Sequence, residues 1–177
     1  MKKRSVFLYL LFASCGVLKS LPVQAVSEQN MHVFTSLVKG HLMSSSDTAI
    51  DTKEISAERT RWVVETRLSP GVLNKKTVES GISLQFTPVH TLYSSNITLL
   101  ELVYPDATTA ARVQKKLANG RYLTNSKILT PYSCVEDGNQ VLIIFTESAG
   151  DSKIATFIED FPMLWRNKME TRASSQS

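Results

Sequence analysis

Apolar residues recur at helical spacing between Glu28 and Met43, where Phe34, Leu37, Val38 and Leu42 line one stripe and His41 borders it. This pattern predicts an amphipathic helix. The polar run Ser44 to Thr52 predicts a linker or loop. From Arg59 to Leu68 the pattern alternates, with Thr60, Trp62, Val64, Thr66 and Leu68 on one side and Arg61, Glu65 and Arg67 on the other, as in a half-buried strand. Pro70-Gly71 ends it, and a second alternating strand follows over Gly81 to Thr87, with Ile82, Leu84 and Phe86 on one face. Ile97 to Tyr104 is apolar on both faces except at Glu101, which predicts a central strand covered by other elements on one side.

After Pro105, Asp106 can cap a helix over Ala107 to Ala118, whose stripe of Ala107, Ala110, Val113 and Leu117 is small enough to approach a sheet closely, and Asn119-Gly120 stops it. Lys127 to Val135 and Gln140 to Glu147 read as two strands of an antiparallel hairpin joined by Glu136-Asp137-Gly138-Asn139, where Asp-Gly is the turn signal, with Pro131 marking the first strand as an edge strand or a bulged one. Asp151-Ser152 can cap a last helix that buries Ile154, Phe157, Ile158 and Phe161, that Pro162 kinks or restarts, and that Met163, Leu164 and Trp165 continue. Thr171 to Ser177 is a polar tail expected to fray.

The predicted order is α-β-β-β-α-β-β-α, an α+β domain with an antiparallel sheet of about five strands and packed helices, spanning residues 26–170. The succession is similar to that of type III secretion chaperones, small dimeric proteins that hold segments of other proteins. No shared motif accompanies the likeness, and those chaperones act in the cytoplasm, whereas the start of this chain points outward.

That start is the strongest signal in the sequence. Lys2-Lys3-Arg4 form a cationic opening, Ser5 to Leu18 an apolar run too short to span a membrane, and Lys19 to Ala25 a segment with small residues at the cleavage positions. Residues 1–25 read as a secretory signal peptide cut after Ala25, which makes the mature chain periplasmic or secreted and leaves it without a transmembrane segment. A second reading acylates Cys15 within Phe12-Ala13-Ser14-Cys15-Gly16 and tethers the protein by lipid; simple cleavage is preferred, since Phe12 stands where Leu is usual and the apolar run continues past Cys15.

The leader also changes the meaning of the charge. The chain has 177 residues with 20 Lys and Arg against 16 Asp and Glu. Lys2, Lys3, Arg4 and Lys19 lie in the leader, which has no acid, so the rest is formally neutral. The basic pI of about 9.1 therefore gives no support to a nucleic-acid partner. Removing the leader also removes Cys15 and leaves Cys134 as the single cysteine, expected to be buried in the strand-like Tyr132-Ser133-Cys134-Val135.

Candidate chemistry is sparse. His32 and His41 are about two and a half helical turns apart, nearly on opposite faces. No His-x3-His or Cys-x2-Cys spacing occurs. A Cys134/His90 nucleophile pair has no flanking motif, and Gly150 in Ser148-Ala149-Gly150-Asp151 lacks the spacing of a phosphate loop. Asn96-Ile97-Thr98 is an N-glycosylation acceptor sequence only for a eukaryotic secretory pathway. Glu101, flanked by Leu99, Leu100, Leu102 and Val103, needs a partner if buried. The expectation is that it meets an arginine of a neighbouring strand, Arg61 or Arg67, or faces water at one side of the sheet, and the alternative is a catalytic acid.

The sequence thus assigns no catalytic, cofactor-binding or metal-ligating residue and no cofactor. The reading it favours is a non-enzymatic accessory protein of the bacterial envelope that binds another protein through a sheet edge or through the terminal helix with Phe157, Phe161 and Trp165. A carrier of a small hydrophobic ligand comes second. An enzyme of unfamiliar type, using Glu101, His90 or Cys134, comes third.

Overall fold

A computed structural model describes residues 26–43, 50–63, 78–86, 95–118, 122–125, 128–146 and 151–175. Their order is α1 (Glu28–Leu42), β1 (Ile50–Ile55), α2 (Ala57–Val63), β2 (Val78–Phe86), β3 (Ser95–Val103), α3 (Ala107–Ala118), β4 (Tyr122–Asn125), β5 (Ile128–Asp137), β6 (Gln140–Thr146) and α4 (Ser152–Ser174). The class is α+β, as expected. Five strands pair in the order β1-β2-β3-β6-β5, and the short β4 joins the far side of β5. Every pairing is antiparallel.

Helices cover both faces of this sheet. Phe34, Leu37 and Val38 of α1 and Ile154, Phe157, Ile158, Phe161 and Trp165 of α4 pack on Leu84, Ile97, Leu99, Leu142 and Ile144. On the opposite face Val63 of α2 and Ala110, Val113 and Leu117 of α3 pack on Leu100, Leu102, Tyr132, Cys134, Ile143 and Phe145. β3 is therefore covered on both sides rather than one. Its run of consecutive apolar residues is what a strand sandwiched between two helical layers requires.

The cap and turn chemistry acts where it was expected. Asp106 caps α3, its carboxylate accepting from the Thr109 backbone N–H at 2.7 Å and from the Thr109 hydroxyl at 3.0 Å. The hydrogen bonds from Thr109 also hold the exposed Asp106 carboxyl below its ordinary pKa. Asp151 caps α4 by accepting from Lys153 N at 3.0 Å and Ile154 N at 3.3 Å. Asp137 pairs with Gln140, so the hairpin loop is Gly138-Asn139, and Gly138 has φ of 61°. A glycine first in a two-residue loop gives the twist such hairpins need. Tyr104 then clamps the hairpin tip to the end of β3: its N–H donates to Asn139 O at 2.8 Å and its carbonyl accepts from Asn139 Nδ2 at 2.9 Å.

Several details depart from the predicted elements. Residues 57–63 form α2 and not the start of a strand. Ser56 caps this helix, its hydroxyl accepting from Arg59 N at 3.2 Å and its carbonyl from Thr60 N at 2.9 Å. Among its described side chains Thr60 and Val63, one helical turn apart, are buried, while Trp62 is exposed beneath the Arg59 guanidinium at 4.3 Å. Residues 64–68 of the predicted strand lie outside the described residues. Ile50 to Thr52, placed in a loop, open β1, whose residues 51–54 are all exposed; no alternation marks a strand that buries neither face there. Gly81 of β2 makes room for α2, because a Cβ there would lie 3.0 Å from both Leu100 Cδ2 and Thr60 Oγ1.

One helix runs through Pro162 and on to Ser174, where residues 171–174 form its last turn. Proline removes the N–H that would bond to the carbonyl of Ile158. The hydroxyl of Ser133, on β5, donates to that carbonyl instead. No helix among the described residues is long and apolar enough to cross a membrane.

Candidate functional site

The first candidate is an edge. β4 pairs only with the first part of β5, from Asn125↔Ile128 to Tyr122↔Pro131. Pro131, which has no N–H to offer, is the last residue of that ladder. Beyond it Tyr132 to Asp137 pair with β6 on one side, and among the described residues nothing pairs with them on the other. A surface cleft of about 440 Å³ lies along this edge. Gln114, Leu117 and Ala118 of α3 border it above one face of β5, and Glu159, Pro162 and Arg166 of α4 border it below the other.

The residues of the edge are held firmly. Tyr132 and Cys134 point toward α3, where the Tyr132 hydroxyl donates to Leu117 O at 2.6 Å and the Cys134 thiol to Gln114 O at 3.8 Å. Leu117 O is among the last carbonyls of α3, which find no partner within the helix. Burial pushes the Cys134 thiol up to about 12, and burial first, then the neighbouring Cys134, pushes the Tyr132 phenol up to about 12. A thiol held protonated near neutral pH is a poor nucleophile. Ser133 faces α4, and Trp165 Nε1 of α4 donates to Asp137 Oδ2 at 3.3 Å near the hairpin.

The second candidate is a buried polar cluster on the α1 and α4 face. Glu101 is 3% exposed, and its Oε2 accepts from Ser27 N at 3.0 Å and from Asn30 Nδ2 at 3.2 Å. The same Asn30 amide donates to Gln140 Oε1 at 2.9 Å, so both of its hydrogens are used. Ser27 is the N-cap of α1, and its hydroxyl accepts from Asn30 N at 3.2 Å. In a capping box a Glu or Gln three residues after the cap bonds back to the cap N–H. Here Asn30 occupies that place in sequence, and Glu101 performs the task from a strand 74 residues away. A helix N-terminus also favours the negative charge.

Among the described residues, the start of α1 supplies the partners of Glu101. Arg67 and the side chain of Arg61 lie outside what the structure describes, as do His90, Gly150 and Cys15. Cys134 is buried, as expected. His41 borders the stripe of α1 and meets the Phe157 ring at 6.0 Å between centroids, while His32 is exposed. No group of three His, Cys, Asp or Glu side chains among the described residues could hold a metal. Phe157, Phe161 and Trp165, read as a contact surface, are core residues at 3%, 0% and 1% exposure.

Two features escaped the sequence reading for different reasons. Ser27-x-x-Asn30 directly before the α1 stripe was a legible cap, and its amide at the third helical position hinted at a missing acidic partner. The contact of Ser133 with Ile158 joins β5 to α4 and leaves no local signal. Compared with known protein families, with curated proteins and with solved structures, the chain finds no match.

Proposed function

We propose that this protein is an exported, non-enzymatic accessory protein of the bacterial envelope, periplasmic or secreted, and that it binds another protein by strand addition along Tyr132 to Asp137. The observation that carries this reading is the one-sided pairing of those six residues beside a cleft. Main-chain donors and acceptors of an edge strand bind any extended segment, and the side chains around them select which one. Gln114, Glu159 and Arg166 would supply polar selection, and Leu117 and Pro162 apolar contact.

The other edge of the sheet supports the contrast. β1 exposes Asp51, Lys53 and Glu54, charges of the kind that discourage strand addition. The carrier reading is less favoured, because a cleft bordered by Gln114, Glu159 and Arg166 is a poor host for a hydrophobe.

Photo-crosslinking residues placed at exposed Glu136 of β5 and exposed Lys53 of β1 test the proposal in the source cell. A discrete envelope protein captured from position 136 and not from position 53 is the expected result. Capture from position 53 alone, or from neither, would sink the strand-addition reading.

A further inference from the structure

The expected cleavage site and the buried carboxylate belong to different arguments, yet they meet at one place in the fold. Val26, the first residue after the leader, is 5% exposed and belongs to the core under α1. Its neighbour Ser27 donates its N–H to Glu101 Oε2 at 3.0 Å. Three backbone bonds separate the nitrogens of Val26 and Ser27, so the Val26 nitrogen lies within roughly 7 Å of that oxygen, at a distance set by one torsion.

We propose that removal of the leader completes this site: the α-ammonium group created at Val26 pairs with the Glu101 carboxylate and, in the processed chain alone, adds a charge pair to the hydrogen bonds that already tie the start of α1 to the sheet. The proposal rests on reading residues 1–25 as a leader cut after Ala25. Hydrolysis of the Ala25–Val26 peptide bond by an envelope peptidase consumes one water. The new carboxylate leaves with Ala25, and the amine stays on Val26, protonated at neutral pH.

The chemistry favours the pair because Glu101 is buried with neutral partners. Its donors among the described residues are the Ser27 N–H and the Asn30 amide, and no described cation pairs with it. A buried carboxylate without a countercharge is costly, and a cation placed beside it recovers much of that cost. In the unprocessed chain the same nitrogen is a neutral amide. The cut therefore changes the charge of the site without moving any element of the fold, and α1, which closes the core against α4, docks more tightly after export than before it.

A double-mutant cycle on chains that run to Ser177 tests the pair. One chain starts at Val26 and the other at Val23, each with Glu101 or with Glu101→Gln, and urea unfolding is read at neutral pH. With Glu101 present, the Val26 start is expected to raise the folding equilibrium by at least about tenfold over the Val23 start, and Glu101→Gln to abolish that advantage. An equal effect of the start in both backgrounds overturns the proposal.

Should Glu101→Gln fail to fold, the reactivity of the α-amine toward an acylating reagent decides. An amine at Val26 at least about tenfold slower than one at Val23 supports the pair, and equal rates overturn it. The intact mass of the exported protein tests the premise separately. A start at Val26 supports it; a retained leader or an acylated Cys15 overturns it and leaves the crosslinking test of the β5 edge unaffected.

Discussion

On the face covered by α1 and α4 the helices supply the bulk, while on the face covered by α2 and α3 the sheet supplies it. Phe34, Phe157, Phe161 and Trp165 form a chain of rings beneath the first pair, with centroid separations of 6.1 Å for Phe34–Phe161, 6.3 Å for Phe157–Phe161 and 5.5 Å for Phe161–Trp165. The second pair contributes Ala110, Val113, Leu117 and Val63, and the large side chains there, Tyr132 and Phe145, rise from the strands. A helix with small residues settles close to its sheet, and one with large residues must interlock with it. The first face should therefore suffer most from lost volume, and the second from added volume.

The largest expected effect is on the aromatic face. Phe161 is fully buried and touches three rings' worth of neighbours. Phe161→Ala should cost about 3–5 kcal/mol in urea unfolding, enough to unfold a marginal domain. A loss below about 1 kcal/mol would mean that the helices do not supply this core, and the contrast between the faces would fail.

Next comes the hydrogen bond from Ser133 of the edge strand to α4. Ser133→Ala leaves the Ile158 carbonyl without the donor that replaces the missing N–H of Pro162, and should cost about 1–3 kcal/mol. In a Pro162→Ala background the helix recovers its own N–H, so the same substitution should cost clearly less. An equal cost in both backgrounds would show that Ser133 stabilises the protein in some other way.

What could be read in the sequence divides along the same lines. α3, its Asp106 cap and the Gly138 turn were legible because their signals are local: a cap, a short stripe, a glycine before a return strand. β2 was legible because its buried Ile82 and Leu84 alternate with polar residues, and β3 because burial on both faces leaves a continuous apolar run. β1 was not, since an edge strand exposed at residues 51–54 carries no period at all. α2 was misread because seven residues are too few to separate alternation from helical spacing, and Ser56 decided the matter by capping. The environment of Glu101 was half legible: burial demanded a partner, but strand arithmetic offers only neighbours in the sheet, and the described partners arrive from α1.

A smaller effect is expected from pH, and it belongs to the α3 face alone. Cys134 and Tyr132 rise from ordinary values of 9.0 and 10.0 to about 12 on burial. Unfolding lets both groups ionise more readily, so stability holds below pH 9 and falls as pH rises from there toward 12. Cys134→Ala should flatten the first part of that fall, above pH 9, when urea midpoints are compared across the range. Unchanged pH dependence would mean that the thiol is not protected in the native state. Alkylation by iodoacetamide in native conditions should likewise be slow until the chain unfolds.

The smallest effect should fall where the α2 helix meets the sheet. Thr60 is fully buried, and its Oγ1 has no hydrogen-bond partner among the described residues while sitting 3.0 Å from the place a Cβ of Gly81 would occupy. A buried hydroxyl without a partner forfeits hydration and gains nothing in exchange. Thr60→Val keeps the branched shape and replaces the hydroxyl by a methyl, so it should leave stability within about 0.5 kcal/mol or raise it. Gly81→Ala at the facing position should destabilise, because its Cβ would meet both Leu100 and Thr60. If Thr60→Val instead costs more than about 1 kcal/mol, the hydroxyl has a bonded partner and the polar weakness of this face lies elsewhere. Together the two substitutions separate lack of a hydrogen bond from lack of space, which are the two ways a closely approached helix can be held poorly.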